Sequence, residues 1–189
     1  MSAAPVLALD DVACLRGGRL LFEALSLTLA PGEAALATGP NGAGKSSLLR
    51  LAGGLLPAAA GLVTRGGGAA LADEGLALDP RLALAKALGF WARLDGREAA
   101  PAMAAMGLAH LAAVPVRMLS TGQRKRAALA RVVASGAALW LLDEPANGLD
   151  AEGLERLAAA MAAHRAAGGA ILAASHVPVG LEDAKAVRL

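Results

Sequence analysis

At 189 residues the chain is long enough for one domain with a substantial core. Hydrophobic residues make up 56% of it, much of that alanine. No uncharged, unbroken stretch approaches the roughly 18 residues that would span a bilayer. Eighteen basic residues against sixteen acidic ones leave a net charge of +2, and there are only two Trp and two Phe with no Tyr, so nucleic acid is not an expected partner. Met1 to Leu9 has no basic region before its apolar residues and is followed by Asp10-Asp11, so a signal peptide is not expected. Cys14 is the single cysteine, which leaves no internal disulfide and fits a reducing cytosol.

Residues 5–38 read as short strands: Val6 to Leu9, then a turn at Gly17-Gly18, then Leu20-Leu21-Phe22. Leu25, Leu27 and Leu29 alternate with Ser26, Thr28 and Ala30, the period of a half-buried strand. Pro31-Gly32-Glu33 is a turn, and Ala34 to Ala37 is a short apolar run. A helix is predicted over 44–55, ending near Gly53-Gly54. Leu62-Val63-Thr64 suggests a strand, with a turn at Gly66-Gly67-Gly68.

Residues 79–113 are helical in character, with Leu82, Leu84, Leu88, Trp91 and Leu94 at helical spacings. They read as a helical insertion between two parts of an α/β core. The Phe90-Trp91 pair within it is expected in the core. Ser120 opens a helix through about Ala134. Ala138 to Leu142 is a continuous apolar run, as in a central parallel strand covered on both faces. An amphipathic helix over 152–166 and a buried strand, Ala170 to Ala174, complete the pattern. Strands alternating with helices give a mainly parallel sheet.

Gly39-Pro40-Asn41-Gly42-Ala43-Gly44-Lys45-Ser46-Ser47 fits Gly-x-x-x-x-Gly-Lys-Ser in full, with a strand before it and a helix after it. Glycines let the backbone curl until successive N–H groups point at a phosphate, and the helix adds the positive end of its dipole. Lys45 is expected to reach the β- and γ-phosphates of ATP, and the Ser46 hydroxyl to ligate Mg²⁺. Asp143 and Glu144 close the apolar run 138–142. Asp143 is expected to hold Mg²⁺ and Glu144 to polarise a water towards the γ-phosphate.

Leu119-Ser120-Thr121-Gly122-Gln123 stands 23 residues before Asp143, counting from Ser120. With the loop and the paired acids, it makes the chain resemble the nucleotide-binding subunits of ATP-binding-cassette (ABC) transporters, over essentially its whole length. The resemblance implies a P-loop NTPase fold of the ABC ATPase type. That fold has a mainly parallel core, an N-terminal antiparallel β portion and a short helical insertion. It implies a single domain over 1–189, with a helical subdomain at roughly 79–134.

The resemblance also implies an ATP-hydrolysing homodimer. Ser120 and Gly122 of one copy would bind the γ-phosphate held by the other copy's loop. Asn147-Gly148-Leu149-Asp150 would lie at the dimer interface. His176, 32 residues past Glu144, would contact the γ-phosphate and orient Glu144 and the attacking water. His110 and His164 have no such setting and read as surface residues.

Two family features are altered. A glutamine usual between core and helical insertion is missing, since none precedes Gln123, and Glu74 stands near its place between Asp73 and Gly75. The aromatic usual against adenine is missing too, and Arg16, or secondarily Phe22, falls near that position.

Four local strings further resemble the ATP-binding subunits of bacterial cytochrome c biogenesis (haem exporter) systems: Val12 to Gly17, Phe90 to Leu94, Leu139 to Pro145, and Ser175 to Leu181. The implied partners are integral-membrane subunits of that system, at the cytoplasmic face of the inner membrane. No direct haem binding is expected, because no Cys-x-x-Cys-His occurs and Cys14 has no histidine nearby. An ABC subunit exporting another small molecule or a lipid, a soluble ABC ATPase acting on nucleic acid, and a non-hydrolysing scaffold are the alternatives.

Overall fold

Two sheets carry residues 4–189, the part of the chain described in the computed structural model. Met1 to Ala3, where the stretch searched for a signal peptide begins, lie outside the described residues. The first sheet is antiparallel. Strands β1 (Leu7–Arg16) and β2 (Arg19–Leu29) fold back on each other at Gly17 and Gly18. Both glycines have positive φ, as a tight two-residue hairpin requires. The pairing slips between Leu9 and Val12, where Asp11 adopts φ 47 and its N–H donates to Ser26 Oγ at 3.0 Å. With a further slip between Val12 and Cys14, opposite Ala24 at φ 52, this bulge lets what the pattern reads as several short strands run on as two long ones. Strand β4 (Ala60–Arg65) pairs with the other edge of β1.

The second sheet is wholly parallel. Its strands are β3 (Ala34–Thr38), β5 (Ala69–Ala72), β6 (Leu139–Asp143), β7 (Ala170–Ala174) and β8 (Lys185–Arg188), in the order β5-β6-β7-β3-β8. Helices α1 (Lys45–Ala52), α2 (Leu84–Leu94), α3 (Ala100–Ala105), α4 (Thr121–Ser135) and α5 (Ala151–Ala166) connect and cover it. This is the P-loop NTPase architecture: a parallel core, an N-terminal antiparallel portion and helices inserted between β5 and β6. Among the described residues no helix is long and apolar enough to cross a membrane.

Each face of the parallel sheet has its own core. Leu139, Leu141 and Leu172 pack with Leu48, Leu49 and Leu51 of α1 and with β1 and β2. Trp140, Leu142 and Ile171 pack with residues of α2, α4 and α5. Successive residues of β6 are buried on both faces and the strand lies between β5 and β7, as the apolar run 138–142 implied.

Three sequence expectations change here. Phe90 is exposed, and Trp91 is half-buried at the edge of the core, against which it packs. The buried stripe of α2 is Leu84, Ala87, Leu88 and Ala92, which turns Phe90 to the opposite side. Leu82 precedes that helix and Leu94 is exposed at its end. His110 is exposed as expected, but His164 is not a surface residue. Its ring stacks on buried Trp140, with centroids 4.0 Å apart and planes 8° apart, and a ring nitrogen lies 3.3 Å from the Ala170 carbonyl.

Burial pushes the His164 pKa below its ordinary value of 6.5, against smaller raising effects of hydrogen bonds to Ala170 and Ala138. The native state therefore resists a proton that the unfolded chain accepts below about pH 6.5. The stability tied to His164 is complete above that pH and falls as pH drops below it. Urea midpoints at pH 7.5 and 5.5 are expected to differ more for the parent than for His164→Phe, which keeps the stacking and loses the titration. Equal differences would show that this histidine does not contribute.

Candidate active site

Strands β3, β6 and β7 run parallel in adjacent register, with Leu36 and Leu142 both opposite Ala173. Their carboxyl ends therefore open at one edge, where α/β sheets bind ligands. A cavity of about 920 Å³ lies there. Its wall includes Asn41, Gly42, Gly44, Lys45, Ser46 and Ser47 from the loop after β3, Asp143 and Glu144 from the end of β6, and His176 from the turn after β7.

The loop is built tightly. Gly44 has φ 112, and a Cβ there would stand 3.1–3.3 Å from Leu21 and Phe22. Gly39 has φ 147, and a Cβ there would stand 2.6 Å from the Leu189 carbonyl oxygen beside it. Both positions thus combine a left-handed backbone with a close approach. Ala43 closes the turn by donating its N–H to Pro40 O at 3.2 Å. Lys45 is nearly buried, and its ammonium donates to Gly39 O at 2.8 Å and Pro40 O at 3.1 Å. The charge is thus held over the curl of its own loop, where a phosphate would meet it.

Glu144 and His176 come together across 32 residues. Glu144 Oε1 lies 3.3 Å from His176 Nε2, and the His176 backbone N–H donates to Oε2 at 3.4 Å. Oε1 is buried and has no well-aligned hydrogen-bond donor, so the 3.3 Å contact is proximity rather than a formed bond. Glu144 also has φ 44, a left-handed backbone that a glutamate adopts only when held. Its N–H donates to Ala174 O at 2.8 Å, which fixes it against the next strand.

For Mg²⁺ the donor set fits. Ser46 and Asp143 face the same cavity, and among the described residues no group of three or more His, Cys, Asp or Glu gathers as a metal cage. A hydroxyl and one carboxylate suit an ion completed by phosphate oxygens and water.

Ser120 and Gly122 are not brought to this cavity's wall. Ser120 caps α4: its Oγ accepts the Gln123 N–H at 3.3 Å, and Gln123 Oε1 accepts the Ser120 N–H at 2.9 Å. Thr121, the first residue of α4, does line the cavity, while Ser120 stays exposed outside it at the positive end of the helix dipole. Gly122 backs onto the Gly148 carbonyl, 3.1 Å from where a Cβ would sit. Arg16 does line the cavity, while Phe22 packs beneath the loop in the core.

Glu74 lines the cavity between Asp73 and Gly75. Asp73 is the tied member of that pair, bound to Arg50 at 3.3 Å.

Sequence reasoning missed Arg124 and Lys125, which also line the cavity. The basic run after Gln123 was the available signal. Lys125 Nζ donates to Asp143 O at 3.3 Å. Burial lowers its pKa, while Asp143, Glu144, Glu74 and Asp73 oppose the shift.

A family described as ABC transporter matches residues 22–147. The chain is 60% identical to the cytochrome c biogenesis ATP-binding export protein CcmA of Sphingopyxis alaskensis, over 94% of this chain and 93% of the relative. It is 56% identical to the proteins of the same name in Zymomonas mobilis (97% and 84% covered) and Novosphingobium aromaticivorans (95% and 93% covered). Among solved structures, an ATP-binding subunit of an ABC transporter superposes with a TM-score of 0.87 at 22% identity, covering 97% of this chain and 85% of that one. An ATP-binding cassette of another ABC transporter, in its ADP conformation, gives 0.76 at 19% identity, covering 94% and 84%.

Proposed function

The chain belongs to the ABC transporter family, and from that premise we propose that it is the ATP-binding and hydrolysing subunit of a membrane transporter serving cytochrome c biogenesis, acting in haem delivery or export. The observation that carries the ATPase reading is the convergence of Lys45, Ser46, Asp143, Glu144 and His176 on one cavity. The names of the relatives support the cytochrome c role.

Two copies bind two ATP head to tail, and the segment of roughly 79–134 forms the helical subdomain of each. The capped start of α4 supports this arrangement, because Ser120 and Gly122 lie outside the wall of their own copy's cavity. Ser120 and Gly122 of each copy complete the other's site. Lys45 and the loop amides offset charge on the transferring phosphoryl group. Glu144 accepts a hydrogen bond from the attacking water, with His176 fixing the carboxylate. The water oxygen bonds to the γ-phosphorus as the bond to the ADP oxygen breaks. Ser46 and Asp143 would hold Mg²⁺, which when bound neutralises phosphate oxygens. Arg16 stacks on adenine through its guanidinium plane. Loss of the γ-phosphate lets the copies part, and that motion drives the integral-membrane partners from the cytoplasmic face of the inner membrane. Haem is carried by those partners, not by this chain.

The test uses Glu144→Gln, held in ATP in native-like cells and gently solubilised. Membrane proteins of cytochrome c maturation are expected to co-purify with it. An unrelated permease would keep the transporter mechanism and remove the haem role. Ribosomes or nucleic acid in place of any membrane partner would overturn the reading.

A further inference from the structure

The stretch after β5 forms a cavity wall through Asp73, Glu74, Gly75 and Leu76. Next to it Ala77 adopts φ 46, a conformation that a residue with a Cβ keeps only where its surroundings impose it. The Trp91 indole N–H, from α2, donates to the Ala77 carbonyl at 2.7 Å. The Trp91 ring lies against the Arg131 guanidinium of α4, 5.4 Å from ring centroid to Cζ. That guanidinium also donates to the Leu71 carbonyl in β5. Arg131 Nε is buried without a hydrogen-bond partner, so the contacts that hold the group are the Leu71 carbonyl and the Trp91 ring. Two side chains thus grip both ends of the wall, Leu71 before it and Ala77 after it. Both grips lead to α4, whose first turns bring Thr121, Arg124 and Lys125 to the same cavity.

We propose that Trp91 and Arg131 are positioning residues that clamp the 73–78 wall to α4, so that wall and helix move as one unit during the nucleotide cycle. The clamp's place in that cycle rests on the ATPase reading above. The clamp itself is testable apart from it.

In the full-length protein, Trp91→Phe keeps an aromatic ring while it removes the N–H donor and one ring of the indole. Arg131→Lys keeps the charge and removes the planar stacking. Amide exchange at residues 73–78 is expected to rise about tenfold in both variants, with the exchange of β6 and β7 unchanged. If hydrolysis occurs, kcat is expected to fall about tenfold while ATP affinity stays within about twofold, since the phosphate loop is untouched. In a Trp140→Phe background Trp91 is the sole tryptophan, and its emission is expected to shift when Mg-ATP is added. Unchanged exchange at 73–78 overturns the clamp whether or not ATP is hydrolysed. Raised exchange with unaltered kcat and no emission shift overturns its catalytic part and leaves it structural. A parent protein that fails to hydrolyse ATP sinks the ATPase reading alone, because the exchange result still stands.

Discussion

Glu144→Gln is expected to slow ATP hydrolysis by about 10²–10⁴-fold, the range a positioned proton acceptor contributes, with ATP affinity nearly unchanged. The amide matches the carboxylate in shape, so the His176 N–H keeps an acceptor at this position. What disappears is the charge and basicity directed at water. The groups that would hold ATP, namely Lys45, Ser46 and the amides of residues 39–47, are on a different strand end and are left intact. ATP therefore binds and stays. If two copies close on two nucleotides, the variant in Mg-ATP should elute at twice the monomer mass, and the parent should not persist there. A turnover within about threefold of the parent would remove Glu144 from its role.

Leu141→Ala and Leu142→Ala are each expected to destabilise the fold by about 2–5 kcal/mol, the usual cost of emptying a buried leucine site. Both side chains are fully buried, yet they point to opposite faces of the parallel sheet. Leu142 packs among the α2, α4 and α5 side of the core, and Leu141 among α1 and the antiparallel sheet. For a domain of this length the loss corresponds to a Tm lower by about 4–20 °C. Leu62→Ala on β4, at 63% exposure, is expected to change stability by less than about 0.5 kcal/mol. Chemical denaturation of the three variants separates the possibilities. A mild effect at Leu141 with a large one at Leu142 would mean that only one face of β6 is packed.

The parts of the fold legible in the sequence were those whose signal is local. The phosphate loop is contiguous, β6 announces itself as an apolar run, and Ser120 marks a helix start. The acids at 143 and 144 follow the run directly, so their place at a strand end needed no three-dimensional knowledge. What escaped depends on contacts between distant segments. Strand β8 has four residues, two of them charged, and no apolar run. Part of what holds its segment is Arg165 binding Asp183 at 2.6 Å and Lys185 binding Glu33 at 2.5 Å. The facing of Phe90 depends on which side of α2 meets α4, which helical spacing alone leaves open. His164 was misplaced because its partner, Trp140, lies on a different element. Lys125 faces the cavity only because α4 starts beside the end of β6.

The backbone of Glu144 has a consequence beyond the site. Its φ of 44 is a conformation that a glycine would adopt at little steric cost. On the role proposed for Glu144, removing that side chain would relieve strain at the same moment that it slows hydrolysis. A directed-evolution campaign scored on heat resistance alone would accordingly drift towards glycine at 144 and enrich robust, inert proteins. Any such screen on this chain has to read turnover alongside survival.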